Sequence, residues 1–237
     1  MKLANIVFPI SAKVVLLGES GVGKTSIISQ FTVNKFNPRC PTSVSAQFIS
    51  KKVPFQKYSK TVKFDIWDTV GQEKYRSLAK IFYKDARVII FVYDITNEAS
   101  FTAIKEFWYK ETNENANDEP ILALVANKSD LYKNEEVDIN VAKAYADEIN
   151  AIFQSTSAQT NMGIDKLFFN LGNKILNPNF DYKTSKEEDL DDKNNNTNNN
   201  SNKDKKKEKN DSKNKNNENK NKLTGDKNGK NGKKKCC

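Results

Sequence analysis

The sequence contains no histidine and only three cysteines among its 237 residues. Without histidine, the chain has no Ser-His-Asp triad and lacks the main ligand of catalytic zinc sites. The cysteines are Cys40, Cys236 and Cys237, which make no disulfide framework and favour a reducing, cytosolic setting. Long apolar runs are also missing, since the longest, such as Val88 to Tyr93, are too short to span a bilayer. We therefore expect any membrane contact to come from an attached group.

Composition divides the chain into three predicted parts. The apolar stretch within residues 1–10 is too short and too interrupted by polar residues for a signal peptide. We therefore expect these residues to be a leader into the first strand. Residues 11–180 alternate apolar and polar runs, as a globular domain does. Residues 181–237 carry 17 lysines and 11 acidic residues. This segment is rich in Asn and has few aliphatic side chains. Such a tail buries too little apolar surface to offset its ordering entropy, so we predict disorder, and its net charge of +6 implies an anionic partner surface.

Six short apolar segments with many β-branched residues predict strands. Helical stretches lie between most of them, which predicts an α/β fold with a doubly wound, mostly parallel sheet and helices on both faces. The segment Lys51 to Thr61 has no helical pattern, so the second and third strands are predicted to form an antiparallel hairpin. The six predicted strands are Lys13–Leu17, Gln47–Val53, Val62–Trp67, Val88–Tyr93, Ile121–Ala126 and Ile152–Thr156.

Three apolar stripes with helical spacing predict amphipathic helices. Ser100 is the predicted cap of the first of them. The stripes are Phe101, Ile104 and Trp108; then Val141, Tyr145 and Ile149; and last Ile164, Leu167, Phe168, Leu171 and Ile175.

A glycine-rich loop from Gly18 to Thr25 fits the pattern GxxxxGK followed by Ser or Thr. It follows a predicted strand and opens a helical stretch, so the alternative of a chance glycine turn is disfavoured. Glycines let backbone N–H groups point at a phosphate, and the helix N-terminus adds partial positive charge. Lys24 is predicted to reach the β- and γ-phosphates and the Thr25 hydroxyl to bind magnesium. The other predicted contacts are Ser20, Gly21, Val22, Gly23 and Ser26.

Two further motifs follow predicted strands. Asp68 precedes Gly71 and Gln72, and a carboxylate at that place can hold magnesium, although a strand-end Asp often only caps a turn. The second motif is Asn127-Lys128-Ser129-Asp130, in which the Asp130 carboxylate can accept two N–H bonds from guanine. Adenine would leave this carboxylate unpaired, so the motif predicts specificity for guanine. After the last strand, Ser157-Ala158-Gln159 is predicted to supply backbone donors.

Together these motifs resemble the small GTPase superfamily over about Ser11 to Leu176. The stretches VKFDIWDTVGQEKYRSL, FYKDA and FVYDIT resemble those that separate Rab proteins from other small GTPases, and Cys236-Cys237 resembles the Rab double-prenylation terminus. NKFN, FISKKV and KFDIWDT are most similar to the early-endosomal Rab branch. The resemblance implies a P-loop fold and a switch that binds and hydrolyses GTP to regulate membrane traffic.

The resemblance also implies catalytic and metal-binding roles. Lys24 and the loop amides hold phosphates, and Gln72, beside Gly71, orients the attacking water. Thr25 binds magnesium directly, and Asp68 does so through water. In the first switch the hydroxyl that meets magnesium falls on Ser43, with Thr42 as the alternative.

Base recognition and effector binding follow from the same resemblance. For the base, Asn127 and Asp130 read guanine, Lys128 covers its face, the Ala158 N–H meets its carbonyl, and Phe36 packs against it. Phe48, Trp67 and Phe82 match an exposed aromatic triad that effectors recognise, for which core packing is the alternative.

The sequence departs from the family pattern at a few positions. Val70 replaces an Ala beside the γ-phosphate, and Ser45 replaces a Gly of the first switch. These two changes leave open a slowly hydrolysing, GTP-locked scaffold. Gln159 stands where a Lys is usual, which we expect to weaken base contacts only slightly.

The implied partners are an exchange factor, an activating protein, a GDP-dissociation inhibitor, the prenylation machinery and effectors, with a monomeric chain. Prenyl groups on Cys236 and Cys237 would attach it to the cytoplasmic face of endosomal or vesicle membranes, with a cytosolic pool. The run Lys233 to Lys235 would add attraction to anionic lipids. A nucleic-acid partner for the basic tail is not expected, because no aromatic residues are interleaved to stack on bases.

Overall fold

The computed structural model describes residues 8–41, 43, 46–69, 79–116 and 119–184. These residues form one six-stranded sheet covered by helices. The strands are β1 (Ile10–Leu17), β2 (Gln47–Phe55), β3 (Lys60–Asp68), β4 (Val88–Asp94), β5 (Ile121–Asn127) and β6 (Ile152–Ser155). The helices are α1 (Lys24–Val33), α2 (Ala79–Tyr83), α3 (Glu98–Ala103), α4 (Tyr109–Asn115), α5 (Ile139–Glu148) and α6 (Ile164–Leu176), with a π-helical turn at Ile104–Trp108 between α3 and α4.

The strand order is β2-β3-β1-β4-β5-β6, and every neighbouring pair is parallel except β2 with β3. The predicted fold class is therefore confirmed, including the six strands and the antiparallel hairpin. A 3₁₀ turn at Gln56–Tyr58 closes that hairpin. Among the described residues, no helix is both long and apolar enough to cross a bilayer.

The sheet carries a hydrophobic core on each face because its central strands are apolar on both sides. In β1, Val14 and Leu16 belong to the core under α1 and α6, whereas Val15 and Leu17 belong to the core under α3, α4 and α5. In β4 every residue is buried. The near-continuous apolar runs of the sequence arise from this burial on two faces.

The predicted stripe of α6 is confirmed, since Ile164, Leu167, Phe168, Leu171 and Ile175 are all buried. The predicted stripe of α5 is confirmed for Ile149, which is buried, and for Tyr145, which packs against the core. It was wrong for Val141, which is 55% exposed, and the helix buries Ala142 and Ala146 instead. Alanines carry little hydrophobic signal, and Val141 therefore dominated the sequence pattern.

The predicted cap at Ser100 was also wrong. The cap of α3 is Asn97, whose side-chain oxygen accepts a hydrogen bond from the Ser100 backbone N–H at 3.3 Å. Ser100 instead lies in the first turn, where its hydroxyl donates to the Asn97 carbonyl at 2.6 Å. Both residue types are good caps, and only the backbone geometry decides between them.

The carboxyl ends of β1, β3, β4 and β5 lie along one edge of the sheet because these strands are parallel. Three of them end at a motif: Leu17 of β1 precedes the glycine-rich loop, and Asp68 of β3 and Asn127 of β5 are motif residues themselves. In such sheets the carboxyl edge is the usual place for ligand binding. The topology therefore brings motifs together that are far apart in sequence.

Candidate functional site

Two adjoining cavities lie along this edge of the sheet. The first, of about 110 Å³, is next to the glycine-rich loop, and the second, of about 310 Å³, extends toward β5. Four residues line both of them: Gly21, Gly23, Ser26 and Cys40. The described residues thus form one elongated cleft with a loop of backbone amides at one end.

The glycine-rich loop requires glycine at two of its positions for steric reasons. Gly18 has φ 144° and Gly23 has φ 98°, which other residues rarely adopt. A side chain at Gly18 would overlap the carbonyl of Val92, and one at Gly23 would overlap the amide of Asn127. The loop can therefore turn tightly against β4 and β5 and begin α1 at Lys24.

Lys24 is a buried cation at the floor of the loop. Its side chain is only 5% exposed, and its Nζ donates to the carbonyls of Gly18 and Glu19, each at 2.8 Å. Burial lowers the pKa of Lys24 to about 8, although the nearby negative charges of Asp68 and Glu19 act in the opposite direction. A cation held in this way is well suited to an anionic ligand.

Three oxygen-bearing side chains converge beside Lys24. The Thr25 hydroxyl donates to Asp68 Oδ2 at 2.7 Å and lies 2.6 Å from the Ser43 hydroxyl. Ser43 Oγ is 3.5 Å from the same carboxylate oxygen. Burial raises the pKa of Asp68, opposed by the hydrogen bond from Thr25 and the charge of Lys24. The second carboxylate oxygen, Oδ1, is buried and accepts no hydrogen bond from any described residue.

These three side chains fit a magnesium ion. Mg²⁺ prefers oxygen ligands and usually keeps several waters and substrate phosphates, so one carboxylate and two hydroxyls suffice. The unpaired Asp68 Oδ1 is a further acceptor for a metal-bound water. Elsewhere among the described residues, no cluster of three or more His, Cys, Asp or Glu could hold a metal.

The other end of the cleft is formed by the loops after β5 and β6. Asp130 Oδ1 accepts a hydrogen bond from the Ser157 hydroxyl at 2.5 Å. Lys128, with φ 64°, extends along the cleft and pairs with Asp94 Oδ2 at 2.6 Å. These contacts fix the Asp130 carboxylate and the Lys128 stem in place.

Asn127 connects the two ends of the cleft. Its side-chain N–H donates to the carbonyl of Val22 in the glycine-rich loop at 2.8 Å. Its Oδ1 accepts from the Thr156 hydroxyl at 3.1 Å. Asn127 is 1% exposed, so both ends of the amide are used to hold protein groups together.

Comparisons with known proteins agree with this geometry. The family model described as "Ras family" matches residues 13–177. This chain belongs to the Ras family. Proteins named Ras-related protein Rab-21 are similar to it over 166 residues, which is 70% of this chain. The identity is 43% to that of Bos taurus over 73% of its length, 43% to that of Homo sapiens over 72%, and 42% to that of Mus musculus over 73%.

The chain is accordingly a Rab-type small GTPase, which binds GTP and GDP, hydrolyses GTP and regulates membrane traffic. Most of its predicted site residues line the cleft. At the loop end they are Ser20, Gly21, Gly23, Lys24, Thr25, Ser26 and Ser43, and at the far end Phe36, Asn127, Lys128, Asp130, Ala158 and Gln159.

One predicted site residue of this GTPase differs from expectation. Ser157 was predicted to supply a backbone donor, but its N–H already donates to the Met162 carbonyl at 3.0 Å. Its contribution is the hydroxyl that binds Asp130. Val22 packs its side chain in the core, which leaves its backbone for the predicted contact.

The GTPase also has site residues that the sequence did not reveal. Thr156 is fully buried and positions Asn127, and Asp94 at the end of β4 pairs with Lys128. Thr69 donates from its hydroxyl to the Leu16 carbonyl at 2.5 Å, which joins the ends of β3 and β1. Cys40 is exposed and lines both cavities. The only available signal was the position of Thr69, Asp94 and Thr156 at strand ends.

The three predicted effector residues of the GTPase form a continuous aromatic row. The ring centroids of Phe48 and Trp67 are 5.2 Å apart, and those of Trp67 and Phe82 are 5.9 Å apart. Phe48 is 53% exposed, whereas Trp67 and Phe82 are partly buried and pack against the core. Phe48 thus fits the prediction of an exposed aromatic residue, whereas Trp67 and Phe82 also fit the alternative of core packing.

Several predicted positions lie outside the described residues, as do residues 1–7 of the predicted leader and residues 185–237 of the predicted disordered tail. The named positions are Thr42, Ser45, Val70, Gly71, Gln72, Lys233 to Lys235, Cys236 and Cys237.

Proposed function

We propose that this Rab-type GTPase binds its nucleotide in the cleft, with the phosphates at Lys24 and the guanine at Asp130. One observation carries the proposal. The hydroxyls of Thr25 and Ser43 and the carboxylate of Asp68 converge beside a buried lysine, within 3.5 Å of one another. This donor set suits a metal-bound triphosphate better than it suits a structural hydrogen-bond network, because Asp68 Oδ1 would otherwise remain buried and unpaired.

At the phosphate end, Lys24 and the backbone of Ser20, Gly21, Val22 and Gly23 hold the phosphates, with Ser26 beside them. Thr25, Ser43 and Asp68 hold magnesium, which neutralises phosphate charge when it is bound. The short distance between Ser43 and Thr25 favours Ser43 over Thr42 for the first-switch role.

At the base end, the Asp130 carboxylate accepts two N–H groups of guanine. Ser157 holds that carboxylate, and Asn127 holds the two loops together. Phe36 and the Lys128 stem cover the base, and Ala158 and Gln159 line its edge. Specificity for guanine follows because adenine does not offer this pair of N–H donors to the carboxylate.

For hydrolysis, Gln72, next to Gly71, orients the attacking water, and Lys24 stabilises charge on the phosphates. Unaided hydrolysis in this class of enzyme is slow, and an arginine from an activating protein accelerates it by roughly 10⁵-fold. The chain therefore works as a timer. No contact among the described residues favours the GTP-locked scaffold. Ser43 provides a hydroxyl beside Thr25, and Val70 and Ser45 lie outside the described residues.

The similarity to Rab-21 proteins supports a place on endosomal or vesicle membranes, with a cytosolic pool. Attachment would come from prenyl groups on Cys236 and Cys237, because two lipid chains give stable anchoring and one does not. A monomeric chain would then work with an exchange factor, an activating protein, a GDP-dissociation inhibitor, the prenylation machinery and effectors.

The base assignment is tested by nucleotide competition. Asp130→Ala should weaken GTP binding by about 100-fold, because the guanine N–H groups lose a charged acceptor, while ATP binding stays poor. Asp147→Ala removes an exposed carboxylate of α5 that does not line the cleft, and it is the matched control. A variant at Asp130 that binds GTP as tightly as this control would refute the assignment.

Membrane attachment is tested separately by imaging the tagged full chain alongside organelle markers. The double variant Cys236→Ser, Cys237→Ser should become cytosolic. If it remains on the same membranes as the wild type, the lipid assignment fails while the nucleotide site is untouched.

A further inference from the structure

A tryptophan outside the cleft contacts the glycine-rich loop directly. The indole Nε1–H of Trp108 donates to Glu19 Oε1 at 3.0 Å, across 89 residues of sequence. Trp108 is 1% exposed, and Glu19 is the second residue of the loop. A buried indole N–H needs a partner, and a charged acceptor makes the stronger kind of hydrogen bond.

The backbone around Trp108 is unusual in a way that sets the direction of its side chain. Residues Ile104–Trp108 form a π-helical turn, in which the Tyr109 N–H bonds to the Ile104 carbonyl. Such a turn shifts the following side chains around the helix, and π turns occur frequently at functional sites. Ile104 and Trp108 are both buried by it.

The helix that carries Trp108 is itself fixed. The Thr112 hydroxyl donates to the Trp108 carbonyl at 3.0 Å. The preceding residue, Glu111, accepts a hydrogen bond from the Tyr83 hydroxyl and forms an ion pair with Lys80, each at 3.2 Å. The indole is therefore a firm attachment point for the loop.

Glu19 connects this attachment point with Lys24. Its backbone carbonyl accepts a hydrogen bond from Lys24 Nζ at 2.8 Å, and its side chain accepts from the indole. A displacement of Glu19 would therefore move a carbonyl that positions the phosphate-binding cation.

We propose that Trp108 is a positioning residue of the phosphate loop, whose hydrogen bond to Glu19 holds the loop in its nucleotide-binding form and slows nucleotide release. The proposal rests on the proposed phosphate-binding role of this loop. The π turn then has a function, which is to orient the indole N–H toward Glu19.

The test measures release of fluorescently labelled GDP from the full chain in Mg²⁺. Trp108→Phe keeps an aromatic ring but removes the donor, and it should release GDP about ten-fold faster, as the loss of a hydrogen bond to a charged group implies. Tyr109→Phe removes one polar group from the next residue of the same helix and should release GDP as the wild type does. Glu19→Gln, which keeps an acceptor, should release GDP more slowly than Glu19→Ala.

A double-mutant cycle separates positioning from simple packing. Trp108→Phe combined with Glu19→Ala should release GDP no faster than the faster single variant, because both changes remove the same hydrogen bond. Release by Trp108→Phe at the wild-type rate, or fully additive effects, would overturn the proposal. If Trp108→Phe does not fold, the comparison of Glu19→Gln with Glu19→Ala decides, and equal rates refute it. The loop's own role fails only if Lys24→Ala still retains GDP.

Discussion

Burial of Lys24 makes nucleotide affinity depend on pH. Its pKa is about 8, against an ordinary value of 10.5. Phosphate beside the ammonium favours the charged form, so GDP binding raises this pKa and takes up a proton. Affinity is therefore complete well below pH 8 and declines as the pH rises through this value. If the bound pKa returns to its ordinary value, the loss is about 20-fold between pH 7.5 and 9.5.

Titration calorimetry measures this effect in two ways. The affinity for GDP is compared at pH 7.5, 8.5 and 9.5 for the wild type and for Lys24→Arg, whose guanidinium stays charged throughout. Guanine begins to ionise in the same pH range, and this lowers the affinity of both proteins. The effect of Lys24 is therefore the difference between the two proteins in the slope of GDP affinity against pH. Heats in two buffers at pH 8.5 should also show uptake of about 0.7 proton by the wild type. Equal slopes and no proton uptake would refute the reasoning.

Two further variants test the packing around the site. Thr156→Val removes the donor to Asn127 Oδ1 and leaves a buried oxygen unpaired, so thermal unfolding should show a loss of about 1–3 kcal/mol together with weaker GDP binding; an unchanged GDP affinity would mean that Thr156 does not position Asn127. Gly172→Ala places a methyl group into the Phe55 ring and should cost about 1–3 kcal/mol of stability, which Phe55→Leu should partly restore; an unchanged melting temperature would contradict the close packing of α6 on β2.

The fold could be predicted because its signals are local. The apolar runs of β4, of β5 and of Val14 to Leu17 in β1 are nearly continuous, since these parts of the strands are buried on two faces. The motifs at Lys24, Asp68 and Asp130 follow strands, and parallel topology alone brings them to one edge. Chemistry and topology thus lead to the same cleft.

What the sequence could not predict are contacts between distant residues. Nothing near Thr156 indicates that it holds Asn127, and nothing near Trp108 indicates a bond to Glu19. The π turn was not predicted, because Phe101, Ile104 and Trp108 also fit the spacing of an ordinary α-helix. Ala142 was missed for a different reason, since a small side chain contributes little to a hydrophobic stripe.

The central claim is that Thr25, Ser43 and Asp68 form the magnesium site of a GTP-sensing switch. The most direct measurement compares release of a non-hydrolysable GTP analogue and of GDP from Ser43→Ala, with Ser43→Thr as the variant that keeps the hydroxyl. In Mg²⁺, Ser43→Ala should accelerate release of the analogue more than release of GDP, and chelation of Mg²⁺ should abolish that difference. Release of the analogue at the rate of Ser43→Thr, or a difference that persists without Mg²⁺, would contradict the account.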